Sequence, residues 1–263
     1  MFLPKLTANA LLPAINTMKI ISMKKLLLVA ALVASVVSAS AQFSSPPTGV
    51  NAEMLKLFGD TKAFSAKATA RLLDKDQKET LSMPLTMALR DGKLRSEMNM
   101  SEIQGNAIPA EAASMMKQAG MDQMITLVLP GKKATVISYP GLKSYAEMPF
   151  TESEKTETKV EFTDMGKETL DGHPCLKKKL TTTDSKGRPQ EMFVWQATDL
   201  KNFPIQMELP QRSNRLIVKF QAPKLETPDA ALFELPAGYT KYDSIQMLMQ
   251  SALMKMFSNG GAK

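Results

Sequence analysis

Two hydrophobic periods divide this chain, and they occupy separate stretches of it. From residue 64 apolar positions recur every second residue: Phe64, Ala66, Ala68, Ala70 and Leu72 alternate with Ser65, Lys67, Thr69 and Arg71. After the polar turn Asp74–Lys78 the pattern resumes as Leu81, Met83, Leu85, Met87 and Leu89, set against Thr80, Ser82, Pro84, Thr86, Ala88 and Arg90. Asp91-Gly92 suits the positive-φ positions of a two-residue hairpin and leads into Leu94, Ser96, Met98 and Met100. Because alternate side chains in a strand point to opposite faces, the spacing predicts consecutive antiparallel strands over 64–72, 81–89 and 94–100. Phe64 and Leu85 then share one apolar face, and the other face is wet.

The period changes at 101–122. Ile108, Ala112, Met115, Met116 and Ala119 follow helical spacing, with Pro109 suited to the first turn and Gly120 to the C-terminal end. If this helix covers the sheet, Met115 and Met116 lose most of their exposure. Strands resume over 123–129, 133–139 and 143–148, then near 158–165, 175–183, 189–196, 203–210 and 214–222. The count is about eleven strands with no alternation of strands and helices, so a parallel sheet is not expected. Val50–Gly59 reads as a short helix and 151–159 as a loop or edge. The last segment is the cleanest amphipathic helix: Ile245, Leu248, Met249, Ala252, Leu253, Met256 and Phe257 form one stripe, with Asp243-Ser244 as N-cap and Asn259-Gly260-Gly261 as end signal. Self-docking on the sheet ranks first for that stripe, a dimer second and a membrane third, since the polar face carries Gln246, Gln250, Ser251 and only one charge, Lys255.

The beginning of the chain reads as a leader and changes the charge argument. Met23-Lys24-Lys25 precedes an apolar run, Leu26 to Val37, and Ala39-Ser40-Ala41 places small residues before a cut ahead of Gln42. Residues 1–22 read as an upstream extension. The expected organisation is therefore leader 1–41, one domain over 42–242, and a C-terminal helix and tail over 243–263. The expected location is the periplasm, with no span in the mature chain, because the apolar run is short for one. The whole sequence has a net charge of +7. The leader carries Lys5, Lys19, Lys24 and Lys25 and no acid, so 29 basic and 26 acidic residues remain, a net of +3. That is too mild to point to nucleic acid, and Lys177-Lys178-Lys179 alternates faces if it lies in a strand.

Candidate chemistry is sparse. The 263 residues include one Cys and one His, which excludes an intrachain disulfide, a CxxC redox pair and the usual zinc sites. A hydrolytic triad would rest on His173 alone, and no nucleophile–base set is readable, so no enzyme, cofactor or metal is expected. His173-Pro174-Cys175 reads as a turn entering a strand. The sequence has 20 methionines, 17 of them after the leader. They admit three readings: a deformable lining for apolar ligands, a thioether site for Cu(I), or ordinary core.

Two stretches carry a family likeness. The first is Tyr139-Pro140-Gly141-Leu142-Lys143-Ser144-Tyr145-Ala146-Glu147-Met148-Pro149, which resembles a segment of an uncharacterised family of exported proteins. The second begins at Leu170-Asp171-Gly172-His173-Pro174-Cys175, passes Val194-Trp195 and Leu200…Phe203-Pro204-Ile205, and closes with Pro228-Asp229-Ala230-Ala231-Leu232-Phe233-Glu234-Leu235-Pro236-Ala237-Gly238-Tyr239. In that order it is similar to the C-terminal half of LolA-like proteins, the lipoprotein-carrier superfamily. The resemblance spans about 50–242 and implies a curved antiparallel half-barrel, mainly β, with helices across its concave apolar face. It also implies a soluble exported binding protein that shelters an acyl chain, lipid or lipoprotein. Phe64, Leu72, Leu85, Met87, Met98, Met115 and Met116 are the expected cavity lining. An alternative from another class is an envelope interaction module with a filled core, whose Ile245–Phe257 helix meets a protein partner. An empty apolar cavity favours the first and a filled core the second.

Overall fold

Alternating segments of this length cannot bury their apolar faces singly, and here they do so in one sheet. A computed structural model describes residues 56–58, 61–105, 109–149, 161–183, 189–211, 213–235 and 237–260. The chain divides into two units at Pro46–Pro47, and the described residues all belong to the second. The leader, Ile108 and the 151–159 stretch lie outside them, as do the side chains of Met256 and Phe257.

Thirteen strands form the sheet. The first group is β1 (Phe64–Leu73), β2 (Glu79–Arg90), β3 (Lys93–Asn99), β4 (Gln104–Gly105), β5 (Gln123–Leu129), β6 (Ala134–Tyr139) and β7 (Ser144–Pro149). The second is β8 (Glu161–Leu170), β9 (His173–Thr183), β10 (Pro189–Ala197), β11 (Phe203–Pro210), β12 (Arg215–Lys224) and β13 (Thr240–Tyr242). Their order is β13-β7-β6-β5-β3-β2-β1-β12-β11-β10-β9-β8, with β4 beside β2. The ends of that path do not meet, so the curved sheet stays open as a half-barrel. Two meanders are stitched together where β12 returns to pair with β1.

The expected register of the first three strands holds. Phe64 pairs with Leu89, Ala68 with Leu85, and Leu85 with Met98, so Phe64 and Leu85 share a face. Asp91 and Gly92 both take positive φ, 51° and 72°, and so do Asp171 (52°) and Gly172 (84°) in the β8–β9 hairpin. β5 and β6 differ from the alternating strands: Ile125–Leu129 and all of Ala134–Tyr139 are buried. That requires cover on both faces.

Part of that cover was not legible in the sequence. After β12 a strap, Pro228–Leu235, crosses the opposite face of the first meander. Arg90 Nη1 donates to the Pro228 carbonyl at 2.7 Å and Arg95 Nη1 to the Leu232 carbonyl at 3.1 Å. Phe233 is buried, and Leu235 packs on Ile125, Leu127, Leu129 and Val136. The strap delivers the chain to the far edge, where β13 pairs with β7 in parallel. It is a three-residue parallel pair at the edge of an otherwise antiparallel sheet: a strap that crosses the sheet brings the chain back in the same direction, without an intervening helix.

Helix α1 (Ala110–Gln118) follows Pro109 and ends at Gly120, whose φ is +72°. Ala112 and Met116 are buried on it. Met115 is half-buried, so both methionines lose most of their exposure, with Met115 at the margin of the short Ala112–Met116 stripe. Helix α2 (Ile245–Gly260) is capped by Ser244 Oγ, which accepts from the Met247 N–H at 3.2 Å. It packs against β7 and β13, with Leu248 and Ala252 buried and Tyr242 Oη 2.6 Å from Ser251 Oγ. Self-docking is the arrangement found.

Candidate functional site: an alanine-floored trough

The central strand β1 carries unusually small residues on its apolar face. Ala66, Ala68 and Ala70 run along it, while the neighbours opposite are large: Met87, Leu85 and Met83 on β2, and Phe220 and Val218 on β12. All three alanines are buried. Adjacent strands lie about 4.8 Å apart, so the side chains of β2 and β12 form walls roughly 10 Å apart with a low floor between them. Volume contrast across three strands thus makes a trough in the backbone layer along β1, filled by the larger flanking side chains, since its alanines are buried.

One end of the trough is closed. The short turn Lys56–Phe58 sits there, with Phe58 against Phe64 (centroids 4.8 Å apart), Phe203 (6.2 Å) and Phe220 (6.4 Å). Gln196 Nε2 donates to the Leu57 carbonyl at 3.3 Å and holds the turn down. At the other end Ala70, Leu81 and Met83 are buried. Around them Leu72, Leu85, Met98, Ile103, Leu216 and Val218 pack only partly covered. This half-exposed apolar band is the candidate binding surface.

The seven expected lining residues therefore divide. Leu72, Leu85 and Met98 belong to the band, and Met87 adjoins it on the wall. Phe64 has no exposed surface and is core beneath Phe58. Met115 and Met116 are on α1, outside both packed clusters of the trough face. Leu216, Val218 and Ile103 were missed, although Leu216-x-Val218-x-Phe220 alternates as clearly as β1 does. The methionines serve different ends. Met98 faces Met124 across β3 and β5, and Met124 Sδ accepts a hydrogen bond from the Tyr139 hydroxyl at 3.6 Å. Burial pushes the Tyr139 phenol well above the usual tyrosine range.

A second, polar cleft of about 330 Å³ is lined by Lys167, Glu168, Thr169, Pro174, Cys175, Leu176 and Thr198. It contains none of the seven expected residues. His173 Nδ1 lies beside it, 2.8 Å from Asp199 Oδ2. The Cys175 thiol donates to the His173 carbonyl at 3.4 Å. Its pKa is pushed up, first by burial and then by the nearby charges of Asp199, Glu168 and Asp171. A reactive thiol needs the opposite shift. Glu168 accepts from Trp195 Nε1 and pairs with Lys177 at 3.3 Å, and Lys177 lies over the Trp195 ring. Among the described residues no group of three or more His, Cys, Asp or Glu side chains is placed to hold a metal ion.

Comparison with known proteins gives a family. Residues 73–204, from the end of β1 to the start of β11, match the family model described as a domain of unknown function, DUF4412. No curated protein matches the chain. Among solved structures, a LolA superfamily protein from Nitrosomonas europaea is similar at 10% identity and TM-score 0.34, covering 68% of this chain and 93% of that one. The lipoprotein LppX of Mycobacterium tuberculosis is similar at 12% identity and TM-score 0.36, covering 64% and 88%. A DUF1329 family protein from Desulfovibrio piger is similar at 11% identity and TM-score 0.34, covering 69% and 93%. The LolA-like resemblance read in the sequence recurs among these structures.

Proposed function

Since this chain belongs to the DUF4412 family, a domain of unknown function, its role has to come from its own side chains, and we propose that it is a non-enzymatic binding protein for an acyl chain or similar apolar ligand. The observation that carries this is the half-exposed band at the open end of the trough: Leu72, Leu85, Met98, Ile103, Leu216 and Val218 around buried Ala70, Leu81 and Met83. Ligand sites for apolar molecules are concave and mostly apolar, and Met98 adds an adaptable wall. The leader 1–41 supports export and a periplasmic location. Among the described residues no helix is long and apolar enough to cross a membrane.

The test is native mass spectrometry of protein purified from the envelope, with extraction of bound lipid, alongside displacement of a fluorescent fatty acid. Ala68→Phe fills the floor between Leu85 and Phe220 and is expected to abolish probe binding; overpacking costs about 1–3 kcal/mol. No co-purifying apolar molecule, together with equal probe binding by wild type and Ala68→Phe, would sink the proposal. A second reading has its own observation. Phe58 fills one end of the trough, and α2 leaves Met247 and Met254 exposed, as an envelope interaction module would. A protein partner lost on replacing Met247 and Met254 by Gln, with no bound lipid, is the result expected from that reading.

A further inference from the structure

The two ends of the sheet are finished differently. At one end β13 has three residues and α2 packs beside it. At the other, β8 is a ten-residue strand whose outer edge pairs with no described strand. Residues 161–169 are exposed on both faces, with Phe162 at 36% and Met165 at 49% of full exposure. A strand edge of this length is a template for another strand. Bulges and charges commonly protect such edges, and β8 has both: a bulge between Asp164 and Lys167, with Gly166 at φ +104°, and four charged residues. The question is whether they block pairing or choose the partner.

The bulge changes which residues share a face. Before it, Phe162 and Asp164 stand opposite Leu180 and Lys178 of β9; after it, Lys167 and Thr169 stand opposite Leu176 and Pro174. All four partners are even-numbered on an unbroken strand, so Phe162, Asp164, Lys167 and Thr169 share one face. Glu161, Thr163, Glu168 and Leu170 share the other, opposite Thr181, Lys179, Cys175 and His173. In an antiparallel pair, facing residues must lie on the same side of the sheet. For two copies of a regular strand that condition centres the two-fold axis on a residue. Here it centres the axis on the bulge, between Met165 and Gly166.

That register is complementary in charge. Asp164 faces Lys167 of the second copy, and Lys167 faces its Asp164. Phe162 faces Thr169, and Thr163 faces Glu168. Neither Asp164 nor Lys167 makes an ion pair among the described residues, so both are available. We infer that the β8 edge is a self-complementary interface, through which a second copy of this chain adds antiparallel to the sheet about a two-fold axis at Met165–Gly166.

Sedimentation velocity over a concentration series, using the purified protein, tests this with charge exchange. Wild type is expected to form a reversible dimer. Asp164→Lys and Lys167→Asp each set two like-charge pairs across the axis and should weaken the dimer about tenfold or more. The double variant D164K/K167D restores opposite pairs and should restore the dimer. A wild type that stays monomeric at every concentration overturns the inference, leaving β8 a protected edge or a site for a different strand. A dimer indifferent to both single reversals, or one not recovered in the double variant, overturns it too. Hydrogen exchange on wild type alone gives an independent reading should a variant fold poorly: amides of 161–164 and 167–170 should gain protection with concentration, and unchanged exchange refutes the pairing.

Discussion

Phe58 is the hinge of the trough's energetics, and replacing it by alanine is the sharpest test of the packing. Its ring contacts Phe64, Phe203 and Phe220, and those three also pack on one another, Phe64–Phe203 at 5.0 Å and Phe203–Phe220 at 5.4 Å. Truncating a buried Phe to Ala costs about 3–5 kcal/mol in transfer and cavity terms. Each well-placed aromatic pair adds about 0.5–1.5 kcal/mol beyond area, which favours the upper half of that range. A ceiling works the other way. The plug is a three-residue turn in which Leu57 is also buried and, among the described residues, the Leu57 and Phe58 carbonyls accept from Gln196 and Thr61, so the loss cannot exceed the turn's whole docking energy. A cost of about 3–4 kcal/mol follows, or roughly 6–16 °C in melting temperature for a domain of this size. Urea unfolding should show a lower midpoint with little change in slope, and a hydrophobic dye should bind the folded variant because Phe64, Phe203 and Phe220 become accessible. A cost below about 1 kcal/mol with no dye binding would show that Phe58 does not close the trough.

Three further outcomes are expected. Gly120→Ala and Gly141→Ala should each cost more than about 1 kcal/mol by thermal melt, because an added Cβ would come within 2.8 Å of the Gly141 backbone and 2.6 Å of the Gly120 backbone, respectively; a neutral result for either denies that close approach. Stability should fall as pH rises past about 10, the ordinary tyrosine value: burial raises the Tyr139 pKa in the folded state, so the unfolded chain releases that proton first and gains from it. Cys175 contributes with the same sign from a lower pH, and Tyr139→Phe should flatten the alkaline limb above 10, an unchanged limb counting against the burial. Deleting residues 243–263 uncovers the surface beneath Leu248 and Ala252 and should increase dye binding or aggregation; a truncated protein that is monomeric, equally stable and dye-silent would assign α2 to a partner instead.

What was legible in the sequence was whatever a local rule controls. Strict alternation fixed the pairing of β1, β2 and β3, because a one-residue slip would have turned every apolar side chain to water. Asp91-Gly92 announced its hairpin through the φ it needs, and Asp171-Gly172 takes the same geometry. Pro109 and Gly120 bracketed α1, and Ser244 marked the start of α2. Non-local facts left weaker traces. β12 pairs with β1 across most of the chain, and no local pattern says which strand a meander returns to. The strap Pro228–Leu235 lacks a period of its own, and its docking depends on Arg90 and Arg95 finding two carbonyls. Its cover is nevertheless implied upstream: Leu127–Leu129 and Val136–Ile137 are apolar at successive positions, which a sheet with one wet face would not tolerate.

The candidate site was half legible for a reason that reaches beyond this chain. Ranking residues by hydrophobic bulk selects Phe64, Leu72 and the methionines, and bulk is what fills space. A groove is made by the residues that fail to fill it. Ala66, Ala68 and Ala70 are apolar enough to keep the register and too small to reach the height of Leu85, Met87, Phe220 and Val218 on either side. The signal therefore lay in contrast between paired strands, and it could be used only once β12 was known to flank β1. The same contrast explains why Phe64 belongs to the core: it is the aromatic end of an alanine row whose other end is Leu72, and Phe58 needs a ring to close upon. A trough built this way is shallow and uniform along its floor, with no polar group from β1 rising into it. On the proposed function, a ligand would be selected there by width and apolarity, with Phe58 as an aromatic stop.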